Sequence, residues 1–302
     1  MIINVVVVTY NRKQLLLRCL GFLFSQTVPL DRIYIIDNAS TDGTYSYLLQ
    51  HDIPTKDIVR YCRLPENSGG SGGFHFGLKE AMKDDPDFVW IMDDDGYPSV
   101  NCLEKQLELA GKFDYVMPVS LDVDCPEKLS WFIRKADNKW TRSYIDLRDS
   151  FPDGIMYSAT PFNGLLMSRN LLNQVGLPKK EMFIWGDEYE HQYRCHKKGF
   201  ATVTKLDALF FHPRDIGERH YIFFGMIPLK YTKSKLRFTC LIRNSTYNYW
   251  NYKGKYLILC KFFIYTWFFL VTKKISLKEY VHYLRCVQDG VLGRFDRHKQ
   301  FL

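Results

Sequence analysis

The chain has 302 residues, 46% of them hydrophobic and 25% charged, with a formal net charge of +8. This is the make-up of a folded globular protein, one large domain or a catalytic domain with an appendage, and it excludes disordered and fibrous architectures. No run of about 18 apolar residues is present, which argues against a transmembrane helix.

Residues 2–8 are a continuous, largely β-branched run, the pattern of a strand buried on both faces. Thr9, Tyr10, Asn11 and Arg12 end it, and Leu15, Leu16, Cys19, Leu20 and Leu23 then recur at helical spacing. A second buried strand is expected over 32–36. After it, Thr41 or Asp42 is positioned to cap the next helix. A third strand (58–64), a glycine-rich turn, a helix (near 74–82) and a fourth strand (88–92) follow. This alternation predicts parallel βαβ units in an α/β, doubly wound sheet, whose ligands collect at the carboxyl ends of the strands. Further along, 130–145 reads as a hairpin, 162–167 as a strand, 188–197 as a helix and 201–211 as a strand.

Asp93, Asp94 and Asp95 follow the apolar fourth strand. Three adjacent carboxylates repel one another and are costly to bury without a cation. A divalent, oxygen-preferring ion, Mn²⁺ or Mg²⁺, shared with phosphates explains them economically; a solvated acidic turn is the alternative. The run Asn67-Ser68-Gly69-Gly70-Ser71-Gly72-Gly73 reads either as an anion cradle ahead of a helix or as a flexible turn. Asp187, Glu188 and Glu190 open a helix, where acids also suit the dipole. Trp185 precedes them. His212 follows an apolar run, where a histidine is more often structural than a ligand.

Together, VTYNR at 8–12, DNASTDGT at 37–44 and the triple aspartate at 93–95 resemble the nucleotide-sugar half of family 2 glycosyltransferases, of GT-A fold. With NSGGSGGF at 67–74, the GDEYE segment and His212, the pattern resembles bacterial galactofuranosyltransferases that use UDP-galactofuranose, over residues 3–215. The resemblance implies that Thr9, Asn11, Arg12 and Asp37 line a uridine pocket. Asn67 with Gly69, Gly70, Gly72 and Gly73 would shape the sugar-diphosphate pocket. Asp94 would face the sugar or ribose, and Asp93, Asp95 and His212 would hold the metal. Aligning Glu190 and Arg194 with the family's later acid and arginine puts Glu188 on the catalytic base; a shift of one residue gives Asp187. Trp185 and Asn163, with Tyr157 and Phe162, are acceptor-side expectations. The implied reaction is inverting transfer to a hydroxyl of a bacterial surface glycan, an O-antigen or capsule. A rhamnosyltransferase using dTDP-rhamnose is the alternative.

The charge is uneven. From Lys230 to Leu302 there are 15 basic and 3 acidic residues, and 17 aromatics; the rest of the chain holds 26 basic and 30 acidic residues. A division into 1–228, catalytic, and 229–302, a helical basic-aromatic extension, is expected. Residues 257–272, flanked by Lys253, Lys255, Lys273 and Lys274, would make about 24 Å of helix, short of a ~30 Å hydrocarbon core. A peripheral contact with an anionic membrane surface fits this segment, as does packing on the body or on a second subunit in a homo-oligomer. A polyprenyl-linked acceptor would suit a membrane contact. Nucleic-acid binding through the basic tail is disfavoured by the acidic body and the lack of a binding motif. Met1 runs straight into the first strand and the eight cysteines show no CxxC pair. Reduced thiols, a cytoplasmic location and attachment at the inner face of the bacterial plasma membrane are therefore expected.

Overall fold

The computed structural model describes residues 1–159, 162–214, 219–223, 225–273 and 275–302, with Arg219 described by its backbone alone. Packing divides the chain into two units: Met1–Lys180 with His191–Asp215, and Glu181–Glu190 with Ile216–Leu302. Composition changes at 228, whereas packing assigns 181–190 and 216–228 to the C-terminal unit. The reason is local to that unit, whose core includes Ile222 and whose Arg243 binds the Met182 carbonyl.

The first unit begins with β1 (Ile3–Thr9), α1 (Lys13–Phe24), β2 (Arg32–Asp37), α2 (Thr44–Leu49), β3 (Val59–Arg63), α3 (Gly69–Ala81) and β4 (Phe88–Asp93). These strands pair in the order β3-β2-β1-β4, all parallel. Every residue of β1 is buried, as its unbroken apolar pattern requires. Val5 and Val7 face a core with Leu16, Leu20 and Leu23 of α1, while Val6 and Val8 face Phe74 and Leu78 of α3. The register sets Thr9 opposite Asp37 and Val8 opposite Asp93, so the ends of three strands converge at one edge.

The unit continues through β5 (Tyr97–Pro98), α4 (Cys102–Leu107), β6 (Tyr115–Asp122), β7 (Cys125–Arg134), β8 (Trp140–Ser143), α5 (Tyr144–Asp149), β9 (Ile155–Met156), β10 (Leu165–Ser168), α6 (Arg169–Val175), the part of α7 (Asp187–Lys197) from His191 onward, and β11 (Val203–His212). β10 inserts antiparallel between β4 and β6, and β11 runs parallel to β6. The expected hairpin is β7–β8. Ahead of α2 the N-cap is Gly43, with Asp42 accepting the Thr44 amide.

One expectation is corrected here. The glycine-rich run is no turn ahead of a helix; α3 starts at Gly69 and includes it. A Cβ on Gly73 would meet Val8 Cγ1 at 2.5 Å. The missing side chain therefore lets the helix start lie directly on β1.

The second unit contains the hairpin β12 (Arg219–Ile222) and β13 (Ile227–Lys230), then α8 (Lys235–Asn248), α9 (Tyr256–Trp267) and α10 (Leu277–Leu292). Tyr231, Phe238, Ile242, Tyr265, Phe269 and Tyr283 form its core. α9 contributes only Tyr265 to the fully buried set, while Tyr256, Leu259, Phe263 and Trp267 are exposed along one stripe. No helix among the described residues is long and apolar enough to cross a membrane. Lys273 is tied to Glu279 at 2.7 Å, so it is not a spare flanking cation; Lys274 lies outside the described residues. The eight cysteines are free thiols.

Candidate active site

The end of β4 builds an acidic cluster in the first unit. Thr9 Oγ1 donates to Asp94 Oδ2 at 2.6 Å. The Arg12 guanidinium bridges Asp94 Oδ1 at 3.2 Å and Asp95 Oδ2 at 2.6 Å. Four residues expected at the site, Thr9, Arg12, Asp94 and Asp95, are thus joined directly. His212, at the end of β11, faces the same carboxylate: its Nε2 is 3.4 Å from Asp95 Oδ1. A Cβ on Gly96 would meet the Phe210 ring at 2.3 Å, so only glycine lets the acidic turn lie this close to β11.

The orientation of His212 is informative. Its Nδ1 lies 2.7 Å from the Pro213 carbonyl, which requires the proton on that nitrogen. Nε2 then turns a lone pair toward Asp95 Oδ1, a buried oxygen with no hydrogen-bond partner. Lone pair against lone pair is repulsive unless the ring takes a second proton or a cation sits between them. Trp131 stacks edge-on against the ring, and Ser130 Oγ donates to the His212 carbonyl, fixing it in place.

The electrostatics agree. Burial, then repulsion from Asp95 and Asp94, pushes the Asp93 carboxyl up to about 8. Burial also raises Asp94, to about 6, against the opposing pull of Thr9 and Arg12. Burial would raise Asp95 too, but His212 and Arg12 outweigh it and hold Asp95 low. Burial lowers His212, yet Asp95 prevails and raises it. Among the described residues no three such side chains form a ready-made metal cluster. The donor chemistry nonetheless fits a divalent ion, with carboxylate oxygens beside an imidazole whose other nitrogen is held by a carbonyl.

The neighbouring strand ends are tied to each other. Asp37 Oδ1 accepts the Ser40 amide at 2.7 Å and its Oδ2 accepts the Tyr61 hydroxyl. Burial and the Asp37 charge push the Tyr61 phenol up, so it stays a donor. Ser40 Oγ accepts the Asn11 amide at 2.9 Å, and Asn11 Oδ1 accepts the Thr41 amide at 2.7 Å. At the start of α3, Asn67 takes the Gly69 amide and Asn38 takes that of Ser68. Two amides expected to serve an anion are therefore used internally. Gly72 and Gly73 are buried against Ser68 and Val8, and Gly70 is half-buried.

The acidic helix start belongs to the second unit. Asp187 is buried and Glu188 half-buried, with Glu188 Oε2 accepting the Gly186 amide at 2.8 Å. Tyr252 donates to Glu190 at 2.7 Å. Trp185 is half-buried under Lys230, whose ammonium lies 5.1 Å from the ring centroid. In the first unit, Asn163 is buried with an unpartnered Oδ1. Tyr157 is exposed, and Phe162 packs in the core against Phe74 and His191 rather than facing solvent.

Sequence reading missed the residues that hold these groups: Asn38, Ser40 and Tyr61 in the first unit, Asn244 and Asn248 in the second. The last two carried a signal, being amides four apart on one face of a helix in an otherwise apolar and basic tail.

Comparison with known proteins matches residues 4–175 to the glycosyl transferase family 2 model. The galactofuranosyltransferase GlfT1 of Mycobacterium tuberculosis H37Rv is 30% identical over 280 residues, 89% of each chain. The GlfT1 of Mycolicibacterium smegmatis is 27% identical over 308 residues, 99% of this chain and 98% of that one. Among solved structures, S. aureus TarS 1-349 superposes with a TM-score of 0.59 at 17% identity, covering 100% of this chain and 83% of that one. GalNAc-T7, solved with UDP, GalNAc and Mn²⁺, superposes with a TM-score of 0.57 at 16% identity, over 70% of this chain and 44% of its own. The sheet is therefore of GT-A type, and the chain belongs to glycosyltransferase family 2 as a relative of the galactofuranosyltransferases.

Proposed function

We propose that this glycosyltransferase moves galactofuranose from UDP-galactofuranose to a hydroxyl of a bacterial surface-glycan acceptor, with inversion at the anomeric carbon. The observation that carries the reading is the His212–Asp95 pair beside Arg12, Asp94 and Thr9. It is a buried cluster of carboxylates and bases at the carboxyl ends of parallel strands, in which Asp95 Oδ1 faces the His212 imidazole. The donor assignment draws on the likeness to the two GlfT1 proteins over nearly the whole chain.

In this reading Asp93, Asp95 and His212 hold Mn²⁺ or Mg²⁺, which when bound supplies positive charge to the departing diphosphate. Thr9, Asn11 and Asp37 shape the uridine pocket and Arg12 orients Asp94 and Asp95. Asp94 addresses the donor sugar or ribose. Asn67 and the start of α3 shape the wall beside the diphosphate. Glu188 removes the acceptor proton, with Asp187 as the other candidate. Trp185 and Asn163 serve the acceptor.

The exposed stripe of α9 supports attachment to the inner face of the plasma membrane. Tyr256, Leu259, Phe263 and Trp267 recur every three or four residues, with Lys253 and Lys255 exposed at one end. Such a stripe suits the interface of an anionic bilayer, which would bring the enzyme to a polyprenyl-linked acceptor.

The test is UDP release from UDP-galactofuranose with a panel of glycolipid acceptors, with and without Mn²⁺, alongside dTDP-rhamnose. Metal-dependent, acceptor-dependent release from UDP-galactofuranose supports the proposal. Turnover only with dTDP-rhamnose overturns the donor. Proton NMR of the product's anomeric centre reads inversion directly.

A further inference from the structure

The second unit contains a cleft of about 180 Å³, far in sequence from the acidic strand end and unused by the reaction above. Its lining includes Phe238 and Phe269, both buried core residues, and half-buried Phe301 near the chain's end. Lys233, Lys235 and Lys278 also line it, and all three are exposed.

Three features give the cleft a positive potential. The lysines lack carboxylate partners among the described residues; Lys235 makes only a cation–π approach to Phe301, 6.0 Å from the ring centroid. Second, α8 and α10 both begin here, since Lys235 is the first residue of α8, and Lys278 and Glu279 lie in the first turn of α10. First-turn amides have no partner within their own helix and carry the positive end of the dipole. At α8 one of them, that of Arg237, is taken by Ser234 Oγ at 3.3 Å, while α10 has no side-chain cap among the described residues. Third, the one acid in the lining is already satisfied: Glu279 accepts from Lys273 and Ser276 at 2.7 Å each and from Tyr231 at 2.9 Å.

A purely apolar pocket needs no such rim, and a bare-anion site needs no such aromatic floor. We propose that the cleft binds a phosphate-headed amphiphile, its phosphate on Lys233, Lys235 and Lys278 and the first part of its apolar chain on Phe301 and the exposed edge of Phe238. The inference does not depend on the identity of the sugar donor, and its test involves no sugar transfer.

Octyl phosphate, held below its micelle concentration, would be titrated by calorimetry into the full-length protein, with inorganic phosphate and octanol as separate titrants. The expected result is saturable binding of octyl phosphate, at least about tenfold tighter than either fragment, since each CH₂ buried adds to affinity. The triple variant Lys233→Gln/Lys235→Gln/Lys278→Gln should weaken it on the order of 10²-fold, from about one headgroup contact per lysine. Phe301→Ala should weaken octyl phosphate while leaving inorganic phosphate unchanged. All four residues lie outside the fully buried core, and an unchanged melting temperature would verify folding. No saturable binding, equal binding of inorganic phosphate or octanol, or full affinity in the triple variant would each overturn the proposal.

Discussion

The side-chain amide of Asn244 stands 2.6 Å from the carbonyl oxygen of Trp185, a residue held at a φ of 60°. The same nitrogen reaches the carbonyls of Met182 at 2.9 Å and Ile184 at 3.0 Å. Asn248, one turn along α8, donates to the Gly186 carbonyl at 2.8 Å. Two asparagines therefore fasten the backbone that leads into Asp187 and Glu188, and hold it in a conformation that a non-glycine residue rarely adopts.

Asn244→Asp keeps the size of this side chain but removes its donor. It should destabilise the protein by about 1–3 kcal/mol, the cost of leaving buried acceptors unpaired. If the segment carries the base, turnover should also fall, by up to about 10²-fold, with little change in donor KM. Denaturant unfolding and steady-state kinetics of the same preparation read both effects. Loss of stability with unchanged turnover would limit Asn244 to a structural role.

Glu188→Gln should lower turnover by about 10²–10⁴-fold while leaving UDP affinity intact, because a base acts on the acceptor's proton. Asp187→Asn should cost less turnover and more stability, since Asp187 is buried. The reverse ranking in kcat would transfer the role to Asp187.

His212→Ala and Asp95→Asn should each weaken Mn²⁺-dependent UDP binding by at least about tenfold, an affinity loss readable by calorimetry. Chelation with EDTA should abolish wild-type UDP release, and added Mn²⁺ should restore it. Equal UDP affinity with and without Mn²⁺ would refute the assignment of these residues as ligands.

Leu259→Glu/Phe263→Glu should release the protein from vesicles containing anionic lipid, because both residues lie on the exposed stripe of α9. Wild-type binding should weaken as salt screens the lysines. Vesicle sedimentation that the double variant leaves unchanged would remove α9 as the membrane face.

His191 makes acid stability a separate test. Burial, with Arg194 nearby, pulls its imidazole down to about 3. The unfolded ring protonates near 6.5, so between these values the unfolded state holds the extra proton. The neutral ring's contribution is complete above pH 6.5 and declines as pH falls toward 3. By pH 5 it should have lost about 2 kcal/mol, a loss that His191→Gln should not show. Guanidinium unfolding at pH 7 and pH 5 measures the difference.

Much of this architecture was legible because it is written locally. The unbroken apolar run of β1, the spacing of Leu16, Cys19, Leu20 and Leu23 in α1, and the acids closing β4 are short-range patterns, and they predict an alternating sheet with its chemistry at the strand ends. The glycine-rich run misled for the same reason. Its local signal reads as a turn, while the observed helix exists because it rests against Val8 of a distant strand. The antiparallel insertion of β10 between β4 and β6 has no local signature either.

By itself, the sequence determined which residue types stand at the carboxyl ends of the strands, and that the tail would be basic and aromatic. Only the tertiary structure decided which partners those residues meet. It set His212 beside Asp95, closed Arg12 over Asp94 and Asp95, and placed Asn244 under the Trp185 carbonyl. These contacts join segments far apart in the chain. They arise from strand register and helix packing, which depend on the summed burial of many side chains rather than on the residues that touch.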